Sequence, residues 1–194
     1  MRVLTPIASL EVAVLGLIVG LDPRETWLLS VMRYWATRSA TDLLKILGSS
    51  ILALIAITTL PALMLKEVLG YPISIYLLAF ASIFHGIAKS TFGTPHYVSS
   101  LSPTLRNSLW RALGLGGTGG YPVAFALAYW VSGWSPYTFI AFPSPLLLGA
   151  FTMTALCLRS ELALLRRAWL NYDLLKGLLL WALAMTSLWR LNYP

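Results

Sequence analysis

Between Leu44 and Leu65 the chain runs for twenty-two residues with a single charged side chain, Lys45. About twenty predominantly apolar residues are what a helix needs to cross the hydrocarbon core of a bilayer, and inside lipid only helices and closed barrels satisfy every backbone polar group. Further apolar runs cover 6–21, 71–88, 120–134, 138–158 and 173–189. Their order predicts an all-α integral membrane protein: a six-transmembrane-helix bundle forming a single membrane domain over 1–194, with an interfacial amphipathic helix after the first span. Composition agrees. Hydrophobic side chains make up 58% of the 194 residues and charged ones 11%, against an apolar share of roughly 45–50% in soluble domains.

Local signals fill in this outline. Gly20-Leu-Asp22-Pro23 ends the first run sharply, because proline disfavours helix in the residue before it. From Glu25 to Asp42, Trp27, Leu28, Val31, Met32 and Trp35 recur near helical spacing, which predicts an interfacial helix with tryptophans at headgroup depth. Gly48-Ser-Ser50 offers a close helix contact, and Pro61 a kink near the end of its span. Pro143 and Pro145 predict a local break in the fifth span. The single cysteine, Cys157, lies in an apolar run and reads as a buried thiol. It gives no disulfide framework and no paired-cysteine metal motif; no metal or cofactor is expected.

Fourteen basic residues stand against seven acidic ones, a net charge of +7. Contact with membrane lipids carrying anionic headgroups, or with a lipid phosphate, follows from that balance. Nucleic acid does not, because the cations are spread over several loops and no soluble binding module remains. If the spans alternate, eleven of the basic residues, Arg24, Arg33, Arg38, Lys45, Lys89, Arg106, Arg111, Arg159, Arg166, Arg167 and Lys176, fall on one face. The positive-inside rule makes that face cytoplasmic, and the cell (plasma) membrane is the expected location. A phosphate site would gather the same charges without topological meaning.

The chemistry concentrates between Lys89 and Ala124. Lys89 and His96 precede a polar loop holding Arg106 and Arg111, and Gly116-Gly-Thr118-Gly119-Gly120 opens the next apolar run. A glycine-rich turn entering a helix lets the backbone approach a ligand, and the first-turn N–H groups favour an anion. The same glycines also suit a flexible turn or a close helix contact. His85, near the end of the third span, is either hydrogen-bonded to a neighbouring helix or functional.

The layout resembles the type 2 phosphatidic acid phosphatase family, six-helix membrane enzymes with the signature K-x6-R-P, then P-S-G-H, then S-R-x5-H-x3-D. Lys89-Ser-Thr-Phe92-Gly93-Thr-Pro95-His96-Tyr97 resembles the first motif. Gly117-Thr118-Gly119-Gly120, followed by Ala124-Phe-Ala-Leu, resembles the second, and Asp173 the end of the third. The resemblance implies phosphate contacts from Lys89, Thr118 and Gly119. His96 and Tyr97 take the places of the arginine and proline, and Arg166 and Arg167 lie about one helical turn before the third motif's histidine position.

The departures bear on chemistry. Gly120 stands where the resemblance places the general-acid histidine, Trp169 where it places the nucleophilic histidine, and Leu162 and Ala163 where it places Ser-Arg. An indole has no lone pair with which to attack phosphorus, so Asp173 is left without a nucleophile to orient and reads as a cap on the sixth helix. The expectation is a non-catalytic relative: a pseudoenzyme that binds a lipid phosphate through Lys89, His96, Arg106, Arg111, Thr118, Gly119, Gly120, Arg166, Arg167 and Asp173, or a structural subunit packed against partner membrane chains. A phosphatase acting on lipid phosphates or polyprenyl diphosphates, rewired around His96 as nucleophile, is the alternative. A small transporter or channel ranks third, since no repeated half is visible. An intramembrane serine protease is disfavoured because no histidine follows Thr118.

Overall fold

The computed structural model describes residues 4–91, 104–118, 120–159 and 172–193, the side chains of residues 4, 5, 89–91 and 115–118 excepted. The described residues form helices joined by turns: α1 (Leu4–Leu21), α2 (Leu28–Thr37), α3 (Ala40–Met64), a 3-10 turn at Val68–Gly70, α4 (Pro72–Thr91), α5 (Leu105–Thr118), α6 (Tyr121–Val131), α7 (Pro136–Ala141), α8 (Pro143–Leu158) and α9 (Tyr172–Asn192). No strand occurs among them.

Among the described residues three helical stretches are long and apolar enough to cross a membrane: Ala40–Met64, Pro136–Leu158 and Tyr172–Asn192. The six full spans expected from the apolar runs are therefore not what the helices provide. Pro6–Leu21, Pro72–Ala88 and Tyr121–Val131 are apolar but shorter. The clearest case is α6, whose eleven residues give about 16 Å of helix, roughly half of a hydrocarbon core. Its run reads longer in sequence because Ser132, Gly133 (φ 68°) and Trp134 (φ 62°) carry no charge, yet they turn the chain out of the helix.

Glycines set the closest approaches. A β-carbon on Gly16 or Gly20 would collide with the backbone carbonyl of Phe142 or Leu146, and one on Gly149 would meet the Leu17 carbonyl at 3.0 Å. These positions let α1 and α8 approach backbone to backbone, the packing that small residues four apart permit in membrane helices. Gly86 does the same between α4 and α9, where a β-carbon would strike the Trp181 indole and the Gly177 carbonyl. Gly48, by contrast, has nothing within 4 Å of its β-carbon position. The close helix contact expected from this stretch is made by Ser50, whose hydroxyl bonds that of Ser108 and so ties α3 to α5.

Two further expectations change. Trp27 is buried, its indole N–H donating to the Leu21 carbonyl at 3.1 Å, so it packs into the protein core instead of presenting its ring to the surface. Trp35 on the same segment is 39% exposed. The stretch expected as a polar loop with Arg106 and Arg111 is helical: α5 runs through both arginines and on to Thr118. The break near Pro143 and Pro145 does occur, as α7 ends at Ala141 and α8 starts at Pro143.

The core runs through α1, α3, α6, α8 and α9, with Leu15, Leu47, Leu54, Phe125, Tyr129, Phe142 and Leu183 all buried. Large apolar side chains also remain exposed, among them Leu52 (68%), Phe84 (75%) and Ile73 (74%). In water such a surface would aggregate; it suits lipid.

Candidate functional site: a buried charge network

Charged residues gather where α1 ends and where α6 and α9 begin. α1 ends at Leu21, two residues before Pro23, and the link to α2 satisfies the freed carbonyls. The Thr26 hydroxyl donates to those of Gly20 (3.0 Å) and Asp22 (3.1 Å), and the Trp27 indole to that of Leu21. This closed turn holds Asp22, Arg24 and Glu25 against α9.

Lys176 is 0% exposed, and its Nζ lies 2.5 Å from both Asp22 Oδ2 and Glu25 Oε1. Glu25 also accepts from the hydroxyl of Tyr121 at 2.9 Å to Oε1. Arg24 grips Asp22 through its Nε (3.1 Å) and Nη2 (3.0 Å), and its Nη1 and Nη2 reach both oxygens of Asp173 at 2.9 and 3.0 Å. Three carboxylates and two cations thus join the α1–α2 turn to the first turns of α6 and α9. Arg111 of α5 lies within electrostatic reach of Asp22, Arg24 and Glu25, and its charge brings the sum to neutrality.

The electrostatics follow from this arrangement. Burial alone would raise the Asp22 carboxyl, but Lys176 and Arg24 outweigh it and hold it down to about 2. Burial would likewise weaken the charge on Arg24; its bonds to Asp22 and Asp173 reverse that and hold the guanidinium firmly protonated. Arg111 is lowered, chiefly by burial. Buried charges persist only when paired and hydrogen-bonded, and this network meets that condition.

His85 of α4 completes the neighbourhood. Gly120 has a left-handed backbone, φ 72°, and a β-carbon on it would lie 2.8 Å from Cδ2 of the His85 ring. The glycine is required twice, for its conformation and for the space that the imidazole occupies.

Of the residues expected at a phosphate site, the fold brings Gly120, Arg111 and Asp173 around this network. Arg106 is exposed in the first turn of α5 and is not part of it. His96, Gly119, Arg166 and Arg167, and the side chains of Lys89 and Thr118, lie outside the described residues. Asp173 sits in the first turn of α9 as expected, but its carboxylate is bound by Arg24. Asp22, Arg24, Glu25, Tyr121 and Lys176 were not foreseen as site residues. The signal available was Lys176 itself, a cation inside an apolar run and three residues beyond Asp173, on the same helical face.

No protein-family profile, curated protein or solved structure matches this chain. What the fold itself defines is an all-helical membrane protein with a buried ionic network at one end of its helices.

Proposed function

We propose that the chain is a multi-pass protein of the cell membrane, built like a lipid phosphate phosphatase but without catalysis, which binds a phosphorylated lipid. The three long helices cross the bilayer, and the shorter apolar helices α1, α4 and α6 enter alongside them. Lys89, His96, Arg111, Thr118, Gly119, Gly120, Arg166 and Arg167 would form the headgroup site; Arg106, in the first turn of α5, stands apart from it.

One observation carries the non-catalytic part. Both oxygens of the Asp173 carboxylate are taken by Arg24, so the carboxylate that would orient a nucleophilic histidine instead anchors α9 to the α1–α2 turn. Gly120 contributes no side chain, and Trp169 offers no lone pair for attack. The network then acts as a rigid base that fixes the glycine turn entering α6.

The test is lipid retention. Full-length protein purified in mild detergent should carry phosphatidate, detected by native mass spectrometry, and Lys89→Ala and Thr118→Ala should each reduce it. Retention equal to that of phosphatidylcholine, and unchanged by either substitution, would reject the binding site. Stoichiometric co-purification of other membrane chains, with no bound phosphatidate, would favour a structural subunit.

A second reading has one specific observation in its favour: the His85 imidazole lies against Gly120, where the resemblance calls for a histidine. A rewired phosphatase would use His96 as nucleophile and His85 as acid. Phosphate release abolished by His96→Ala and impaired by His85→Ala would establish it.

A further inference from the structure

A second polar site lies apart from the Lys89–Thr118 region, in the corner between α2, α3 and the start of α5. Arg38 adopts a left-handed conformation (φ 54°) and ends α2, and Ser39 caps α3 by accepting from the Asp42 N–H at 3.2 Å. The sharp turn brings Arg33 of α2 alongside Asp42 and Lys45 of α3. With Ile46, Thr104 and Leu105 they line a cleft of about 160 Å³, several times what one water needs.

The charges in this cleft are unequal. Arg33 Nε donates to Asp42 Oδ2 at 2.9 Å, which uses one face of the guanidinium. Among the described residues neither the Arg33 Nη groups nor Lys45 Nζ has another partner, so two cations face one carboxylate. The first turn of α5 opens beside them and carries no acidic residue, so the positive end of its helix dipole adds to the potential.

The rim is apolar. Leu105 lines the cleft and is 46% exposed, and Leu44 beside Lys45 is 56% exposed. Lys45 stands in the second turn of α3, a helix long and apolar enough to cross the membrane, so the cleft opens at headgroup depth. A small cationic hollow with exposed leucines along its edge suits an amphiphile better than a free ion.

We propose that this cleft binds the phosphate of an anionic phospholipid, its oxygens held between Arg33 and Lys45 and its acyl chain lying along Leu44 and Leu105. The site is independent of the headgroup site proposed above and stands or falls separately from it.

The experiment titrates the full-length protein in detergent with short-chain phosphatidylglycerol, phosphatidylcholine or inorganic phosphate and follows the thermal midpoint, which rises with any ligand that prefers the folded state. Phosphatidylglycerol should stabilise and phosphatidylcholine should not. Lys45→Gln should weaken the apparent affinity about fivefold, the effect of one cation at the membrane surface. Asp42→Asn, which removes the competing carboxylate, should strengthen it. Lys66→Gln, at the far end of α3, should leave it unchanged. Thr118→Ala should also leave it unchanged, which separates this site from the one for phosphatidate. If Lys45→Gln and Asp42→Asn both leave the phosphatidylglycerol response as in wild type, the proposal is wrong. Equal Lys45-dependent stabilisation by inorganic phosphate would also overturn it, by showing a site for the free ion.

Discussion

Replacing Lys176 with methionine keeps the length of the side chain and removes its charge, which makes it a sharp probe of the network. In the native protein Nζ is 2.5 Å from Asp22 and from Glu25, with the whole residue buried. Without it Asp22 keeps Arg24, but Glu25 loses its buried ion pair and keeps the Tyr121 hydroxyl and the more distant charge of Arg111. Deleting one member of a buried ion pair costs about 3–5 kcal/mol, because the partner charge stays behind without compensation. For a chain of this size that corresponds to roughly 6–20 °C in the thermal midpoint. Tryptophan fluorescence during heating in detergent would read it. Adding Glu25→Gln to Lys176→Met removes the stranded charge while sparing the hydrogen bond to Tyr121, so the double variant should regain at least half of the loss. A Lys176→Met midpoint within about 2 °C of wild type, or a double variant that loses the sum of the two single changes, would refute the reasoning.

Three other outcomes follow from the same structure. Asp22 is depressed from 3.8 to about 2, so its contribution of about 2 kcal/mol is complete above pH 4 and is lost as the pH falls through about 2. Melting curves at a series of pH values should show that acid limb, and Asp22→Asn should lack it. Gly16→Val would push α1 away from the Phe142 carbonyl and cost about 1–3 kcal/mol by overpacking, read as a lower denaturation midpoint. Gly120→Ala would strain the left-handed backbone by about 1–2 kcal/mol and displace the His85 ring, so the imidazole NMR signals should shift together with the loss of stability.

Hydropathy made the helical, membrane-embedded character of the chain plain, because a run such as 44–65 has no stable alternative in water or lipid. It misjudged helix lengths, since uncharged residues do not reveal where the chain turns; α6 ends at Val131, and Gly133 and Trp134 take left-handed conformations just beyond it. The site was harder to read. Asp22-Pro-Arg-Glu25 looks like an interfacial turn, and Lys176 like one more loop cation, when each is taken with its sequence neighbours. They become a network only because α9 packs against α1 and α6, at separations of about 150 residues for Lys176 and its two partners. Gly120 shows the converse. Its glycine was expected as a feature of an anion-binding turn, and the structure adds a steric reason, the imidazole of His85.

Phosphate release from phosphatidate and from polyprenyl diphosphate, by the purified full-length protein at amounts stoichiometric with substrate, decides between binding and chemistry. With Asp173 bound to Arg24 and no side chain at Gly120, wild type should release no phosphate while still retaining phosphatidate. Turnover by wild type that His96→Ala abolishes would contradict that and make the protein an active phosphatase.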